Sequence, residues 1–290
     1  MTSEKFHKLF GAAPLLREKK PAQREMDLAA SVQKVTEEVI MKMAMHAHEM
    51  TGMEKLCMAG GVALNCVANG KLLRNGPFDD IWVQPASGDA GGSLGAALFT
   101  WYNLLEKPRI IDGENDSMQG ALLGPRPSSD SIRSFLEGKK ATYRHYASED
   151  ELMEVVSDLL SSNKVVGWVS GQMEFGPRAL GARSILGDPR SEDMQTQMNV
   201  KIKFRESFRP FAPSIVAPEA PNWFEIDERH KSPYMLMVAP VKEEHRTTAE
   251  SKLEGVDKVK EKRSRIPAVT HVDYSARMPT VTHSNPRYLK

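Results

Sequence analysis

Apolar side chains recur at helix-like spacing between Asp27 and His48, at Leu28, Val32, Val35, Val39, Ile40 and Met43. Gly52 stands where a glycine closes such a helix. The pattern then shortens. Leu56 to Ala59 reads as a strand, Gly60-Gly61 as a turn, and Val62 to Leu73 as the next helix. Ile81-Trp82-Val83 is another short strand. After Pro85, the run from Ser87 to Gly92 makes a second glycine-rich turn, and Ser93 to Leu105 reads as a helix. Its small residues Gly95, Ala96 and Ala97 permit close packing. Two strand–turn–helix units in tandem predict an α/β fold.

Between 106 and 130 the chain is punctuated by Pro108, Gly113, Gly120, Gly124, Pro125 and Pro127, which reads as a linker. This places domains at 1–105 and 120–290, joined through 106–119. In the second, Ser148 to Ser161 is helical, with Leu152, Val155, Val156, Leu159 and Leu160 on one face. Lys164 to Ser170 reads as a buried strand, Met194 to Asn199 as a helix, and Tyr234 to Pro240 as a strand. Residues 1–26 read as a loop or arm. Residues 242–265, densely charged with few apolar anchors, read as a solvated loop or exposed helix.

Composition narrows the classes. The chain has 290 residues, 40% hydrophobic and 27% charged, as a globular protein with room for two domains would. A net charge of +1 provides no global field for nucleic acid or membrane, so an anion site must come from local clustering. Cys57 and Cys66 are too few for a disulfide framework and are not spaced as a metal knuckle. Both read as reduced residues of a cytoplasmic protein, and no leader and no apolar run of roughly 20 residues is visible.

Four constellations carry chemistry. Gly60 and Gly61, before the helix beginning near Asn65, form a seat where backbone N–H groups can meet a phosphate. Ser87 to Ser93 repeats that geometry with Gly91 and Gly92 and adds Asp89, either a metal ligand or a helix cap. The third, from Gln172 to Arg190, presents Arg178, Arg183 and Arg190 from a loop shaped by glycine and proline. Guanidinium forks at such positions suit phosphate or carboxylate. The fourth is Lys201 to Pro213. If residues 201–208 are extended, Lys201, Lys203 and Arg205 share one face, while Ile202 and Phe204 turn to the core. Arg209 precedes a proline and is held extended. With Arg178 these cations form a pocket for a doubly charged phosphate. The alternative is a solvated basic edge strand. The neutral net charge weighs against nucleic acid.

The strings GGVALNCVANGKL, QPASGDAGGSLGAAL, GQMEFGPRALGARSILGDPR, KIKFRESFRPFAP and PAVTHVDYSARMPTV occur in this order. Together they resemble carbamoyltransferases of the nodulation-protein U and antibiotic O-carbamoyltransferase type, over about Phe6 to Tyr288. The resemblance implies an actin-like ATPase module of the TsaD type, of which residues 1–105 match the second lobe. A YrdC-like α/β module follows from about residue 120. It implies that carbamoyl phosphate is joined to ATP as carbamoyl adenylate. The carbamoyl group then passes to a hydroxyl of a small-molecule acceptor, such as a sugar, an antibiotic or a nodulation factor, with a divalent metal, iron or magnesium, assisting.

On that resemblance Gly60, Gly61 and Asn65, with Gly91 and Gly92, match a nucleotide site, and Asp89 a metal ligand. Arg178, Lys203 and Arg209 match the carbamoyl-phosphate pocket. Arg183, Ser184 and Arg205 are further substrate-binding candidates. Two departures stand out. The family's HxxxH metal pair has no counterpart, since His46 and His48 are spaced HxH and point to different sides of a helix. The chain also stops near Tyr288, where the family continues. Both suggest a fragment, completed by a second chain or by a homo-oligomer.

Overall fold

The computed structural model describes residues 2–16, 19–111, 116–247, 253–282 and 286–289. Short helix α1 (Glu4–Leu9) precedes the long α2 (Gln23–Thr51). As the sequence predicts, α2 ends at Gly52, in a left-handed conformation whose N–H donates to the His48 carbonyl at 2.8 Å. The inner side of α2 is not the face the spacing suggests. Ala44, Ile40 and Met41 pack into the core, while Val32, Val35, Val39 and Met43 face outward.

Strand β1 (Lys55–Met58) pairs in parallel with β2 (Asp80–Val83). The helix expected over Val62 to Leu73 is broken. A 3₁₀ turn, Gly61–Leu64, stops at Asn65, and α3 (Cys66–Asn75) starts afresh. The Asn65 side chain accepts from the Ala68 N–H at 3.1 Å, so the break is a helix cap. Helix α4 (Gly91–Phe99) runs into a π turn, Thr100–Leu104.

Beyond the linker, part of which (112–115) lies outside the described residues, come α5 (Ser129–Gly138) and α6 (Glu149–Ser161). Strand β3 (Val166–Val169) pairs antiparallel with β4 (Arg183–Leu186). The strand expected to be buried alternates instead, with Gly167 and Val169 exposed. Helix α7 (Met194–Gln197) continues as a π turn, Met198–Ile202. Then come β5 (Ile215–Val216), α8 (Ala220–Trp223), β6 (Val238–Pro240), β7 (Ser275–Arg277), β8 (Thr280–Val281) and α9 (Pro286–Leu289). β5 pairs in parallel with β8, and β6 antiparallel with β7.

The 201–208 segment is not extended. The π turn holds its first residues, Phe204 has a positive φ of 48°, and Ile202 and Phe204 are exposed rather than in the core. The region 242–265 is not wholly solvated either. Arg263 and Ser264 are buried, and residues 248–252 lie outside the described set.

One core cluster joins Ala44, Leu72, Ile81 and Val83 with Met118, Ala121, Tyr234 and Leu236, so residues on both sides of the 106–119 segment share it. Asp116 reinforces that junction by accepting from the Tyr234 hydroxyl at 2.6 Å and the Trp82 indole at 3.1 Å. A second cluster around Phe224, Val241, Ala276 and Met278 backs β6–β7. Among the described residues, no helix is long and apolar enough to cross a membrane.

Candidate functional site

A cavity of about 550 Å³ opens between α6, the loop leading into β4, the 203–214 segment and β7. Met153, Val156 and Leu160 of α6 form an apolar wall with Phe211 and Met198. Arg178, Ser184, Lys203 and Arg205 line the same space, so four of the residues singled out in the sequence meet. Arg183 and Arg209 are not among the lining residues. Arg277, on β7, is. It lies in the string PAVTHVDYSARMPTV, where nothing in the spacing of neighbouring residues marks it as part of the basic pocket.

Glu174 shapes the first loop. Its buried carboxylate accepts from the N–H groups of Leu180 (2.6 Å) and Ala182 (2.8 Å) and pairs with Arg183 Nε at 3.3 Å. Arg183 also donates to the Gly176 carbonyl. These two side chains are the loop's internal brace, and they leave Arg178 to project into the cavity. Asn199, fully buried, organises the second loop. Its amide donates to the carbonyls of Ser207 (3.1 Å) and Arg209 (2.8 Å), and its oxygen accepts from Arg205 Nε at 2.6 Å. Arg205 lies over the Phe211 ring, 4.9 Å from its centroid. Arg209 turns its side chain to Glu206, 2.8 Å away.

The cavity is strongly cationic. Among the described residues Asp188 is its one lining carboxylate, and Arg190 clasps it at 2.7 and 2.9 Å and holds it below the usual carboxylate range. Among the described residues, Arg178, Lys203 and Arg277 have no carboxylate partner, and Nε of both Arg178 and Arg277 is buried without a hydrogen bond. The cations crowd one another. Burial and then Arg205 lower the Lys203 ammonium. Burial and Arg178 lower Arg277, against the opposing contact with Cys66. Uncompensated, partly buried like charges are costly, and an anionic ligand removes the cost.

The glycine turns adjoin this cavity. Gly176 packs against Pro85 and Ala86, just before the second turn, and Cys66 at the start of α3 touches Arg277. A Cβ on Gly60, Gly61 or Gly92 would meet nothing within 4 Å, so the backbone there is open to a ligand. Gly91 differs, because a Cβ on it would overlap the Ala86 carbonyl oxygen. The Asn65 side chain is occupied by its cap and by Gln33, to which it donates at 2.9 Å. Asp89 is exposed, and no side chain caps α4. Among the described residues, no group of three or more His, Cys, Asp or Glu could hold a metal ion. His48 bonds the Met53 carbonyl at 2.9 Å, and His46 faces solvent.

Two family patterns match in sequence order: the "Carbamoyltransferase N-terminus" over residues 1–98 and the "Carbamoyltransferase C-terminus" over residues 157–290. The chain is 52% identical to "Uncharacterized protein sll1178" of Synechocystis, covering 99% of this chain and 47% of that protein. It is 40% identical to nodulation protein NolNO of Sinorhizobium fredii (90% of this chain, 35% of the relative). It is 39% identical to nodulation protein NolO of Bradyrhizobium diazoefficiens (92% and 45%). The chain thus spans half or less of the length of these relatives. With both parts of one family's pattern present in order, the chain belongs to the carbamoyltransferase family.

Proposed function

We propose that the cationic cavity binds carbamoyl phosphate, and that the chain serves ATP-dependent transfer of the carbamoyl group to a hydroxyl of a small-molecule acceptor. The observation that carries this reading is the convergence of Arg178, Lys203, Arg205 and Arg277 on one cavity, with Asp188 already neutralised by Arg190. Three guanidinium groups and an ammonium suit a compact phosphate dianion. The volume lies within the range of small-molecule sites, and the apolar wall of α6 leaves room for a nucleotide base beside the phosphate end.

Balanced, the activation consumes one water. Carbamoyl phosphate gives phosphate and carbamate, the carbamate oxygen attacks the α-phosphorus of ATP, and pyrophosphate leaves. The acceptor hydroxyl then attacks the carbamoyl carbon, and AMP departs. Arg178, Lys203 and Arg277 neutralise charge as phosphate leaves. The enclosing wall of Met153, Val156 and Phe211 limits hydrolysis of the mixed anhydride.

In this reading residues 1–105 are the second lobe of an actin-like module and residues 120–290 a YrdC-like module. Gly60, Gly61 and Gly92 give nucleotide phosphates a clear approach to the backbone. The iron or magnesium that the resemblance implies does not fit this chain's own residues, because among the described residues no group of three or more His, Cys, Asp or Glu forms around Asp89.

The test is pyrophosphate release from ATP with and without carbamoyl phosphate, in the absence of acceptor. Release that depends on carbamoyl phosphate supports the activation step. If folded protein neither releases pyrophosphate nor binds carbamoyl phosphate, the assignment of the cavity is wrong.

A further inference from the structure

A tryptophan N–H taken out of water normally finds an acceptor. Trp168, on β3, does not. It lines the cavity, and its Nε1–H is buried without a hydrogen bond. Arg178 and Arg277 leave Nε orphaned in the same way around the same space. Three buried donors without an acceptor mark a place for a ligand with lone pairs. The phosphate of the proposed ligand accounts for the two arginines and leaves Trp168 unexplained.

Trp168 has a companion. In the antiparallel β3–β4 ladder it stands directly opposite Ser184, another lining residue. Residues opposite each other in such a ladder place their Cβ atoms about 4.5–5.5 Å apart on one face, close enough for two donors to meet on one oxygen. The Ser184 hydroxyl oxygen accepts from the Gly181 N–H at 3.0 Å, which leaves its hydrogen to be donated.

Both donors are neutral. Arg178, Lys203 and Arg277 already supply the charge that a dianion needs, and an indole N–H and a hydroxyl add none. They suit a neutral oxygen. Carbamoyl phosphate carries one, the carbonyl oxygen, beside its phosphate. The chain repeats that adjacency, since Ser184 lies on the strand into which the Arg178 loop leads.

We propose that Trp168 and Ser184 form a two-donor seat for the carbonyl oxygen of carbamoyl phosphate, and so select an acyl phosphate over free phosphate. This rests on reading the cavity as the carbamoyl-phosphate site.

The test measures binding of carbamoyl phosphate, acetyl phosphate and inorganic phosphate to the 290-residue chain by calorimetry. The parent should prefer carbamoyl phosphate to inorganic phosphate. Trp168→Phe and Ser184→Ala should each weaken carbamoyl phosphate about three- to tenfold, the scale of one neutral hydrogen bond. Acetyl phosphate, which shares the carbonyl, should weaken by the same factor. Inorganic phosphate should stay within about twofold of the parent, because it makes no use of the pair. Ser184→Thr keeps the hydroxyl and should bind as the parent does. If Trp168→Phe fails to fold, the two Ser184 variants decide the question. A fall in affinity for all three ligands together would make the pair structural and overturn the proposal. So would a carbamoyl-phosphate affinity indifferent to the substitutions. A loss confined to carbamoyl phosphate would put its amino group, in place of the carbonyl, on the pair and would also overturn it. A parent that binds inorganic and carbamoyl phosphate equally overturns this selection alone, whereas a parent that binds neither overturns the cavity assignment as well.

Discussion

The cavity around Arg178 and the turns around Asp89 are built from similar ingredients, glycine-shaped loops between short strands and helices. They are finished to different degrees. In the cavity every backbone excursion is braced from within: Glu174 and Arg183 hold one loop, Asn199 and Arg205 the other. Around the turns the backbone at Gly60, Gly61 and Gly92 is open, Asp89 is exposed, and the next helix shows its apolar side to solvent. Arg178, Lys203 and Arg205 on braced loops meet Arg277 of β7 in one cavity formed within this chain. Among the described residues the two glycine turns have no such bracing side chains, and an uncovered helix stands beside the second.

The sharpest way to break the comparison is in the cavity. Arg178→Ala and Arg277→Ala should each weaken carbamoyl-phosphate binding about 10- to 100-fold in calorimetry, as expected for charge-assisted hydrogen bonds worth roughly 1.5–3 kcal/mol. Neither should lower the melting temperature much, because burial and Arg178 already disfavour the Arg277 charge. Loss of folding in place of binding would mean that these arginines are structural.

Arg183→Ala should do the reverse and destabilise first. It strands the buried Glu174 carboxylate, at a cost of about 2 kcal/mol in urea unfolding. That is below the roughly 3–5 kcal/mol of a fully buried pair, since the Arg183 side chain is 35% exposed.

The glycine turns supply a smaller contrast. Gly91→Ala should shift the second turn and lower stability, because its Cβ overlaps Ala86, whereas Gly61→Ala should stay within about 0.5 kcal/mol of the parent. If Gly61→Ala nevertheless leaves ATP protection against proteolysis intact, the open turn is not a nucleotide seat.

The smallest effect concerns pH. His271, whose Nδ1 lies 3.0 Å from the Ser275 hydroxyl at the start of β7, is held below its usual value of 6.5 by burial first, with Asp273 opposing and Arg277 adding to it. The unfolded chain therefore takes up this proton before the folded one. Stability should fall as pH drops through 6.5, and His271→Gln should flatten that slope in melts between pH 7.5 and 5.5. An unchanged slope would place the titration elsewhere.

Much of the local structure was legible because it depends on near neighbours. The Gly52 cap, both glycine turns, the helix over Ser148 to Ser161 and the loop from Gln172 to Arg190 follow from spacing and turn chemistry. The meeting of Arg178 with Lys203 and Arg205 in one cavity was expected from the resemblance and from an extended 201–205 segment; the cations do meet, but the segment turns and Arg209 points to Glu206 instead. Three things were not legible. Residues 201–205 alternate like a strand, but Asn199 pulls the following carbonyls inward and the segment turns. Arg277 joins the cavity from the far side of the chain only because β7 pairs with β6. Glu174 looks like any exposed acid until its loop closes around it.

By itself the sequence determined many of the local elements, the family and most of the cations, because periodicity, caps and motif order are properties of neighbouring residues; it missed α1, the break at Asn65 and the turn after Met198. Only the tertiary structure decided which side of α2 is inside, which arginines face the cavity and which serve as braces, and that α4 stands uncovered. Those outcomes depend on which distant surfaces meet, and a helix with two apolar sides does not record in its own residues which of them this chain can cover.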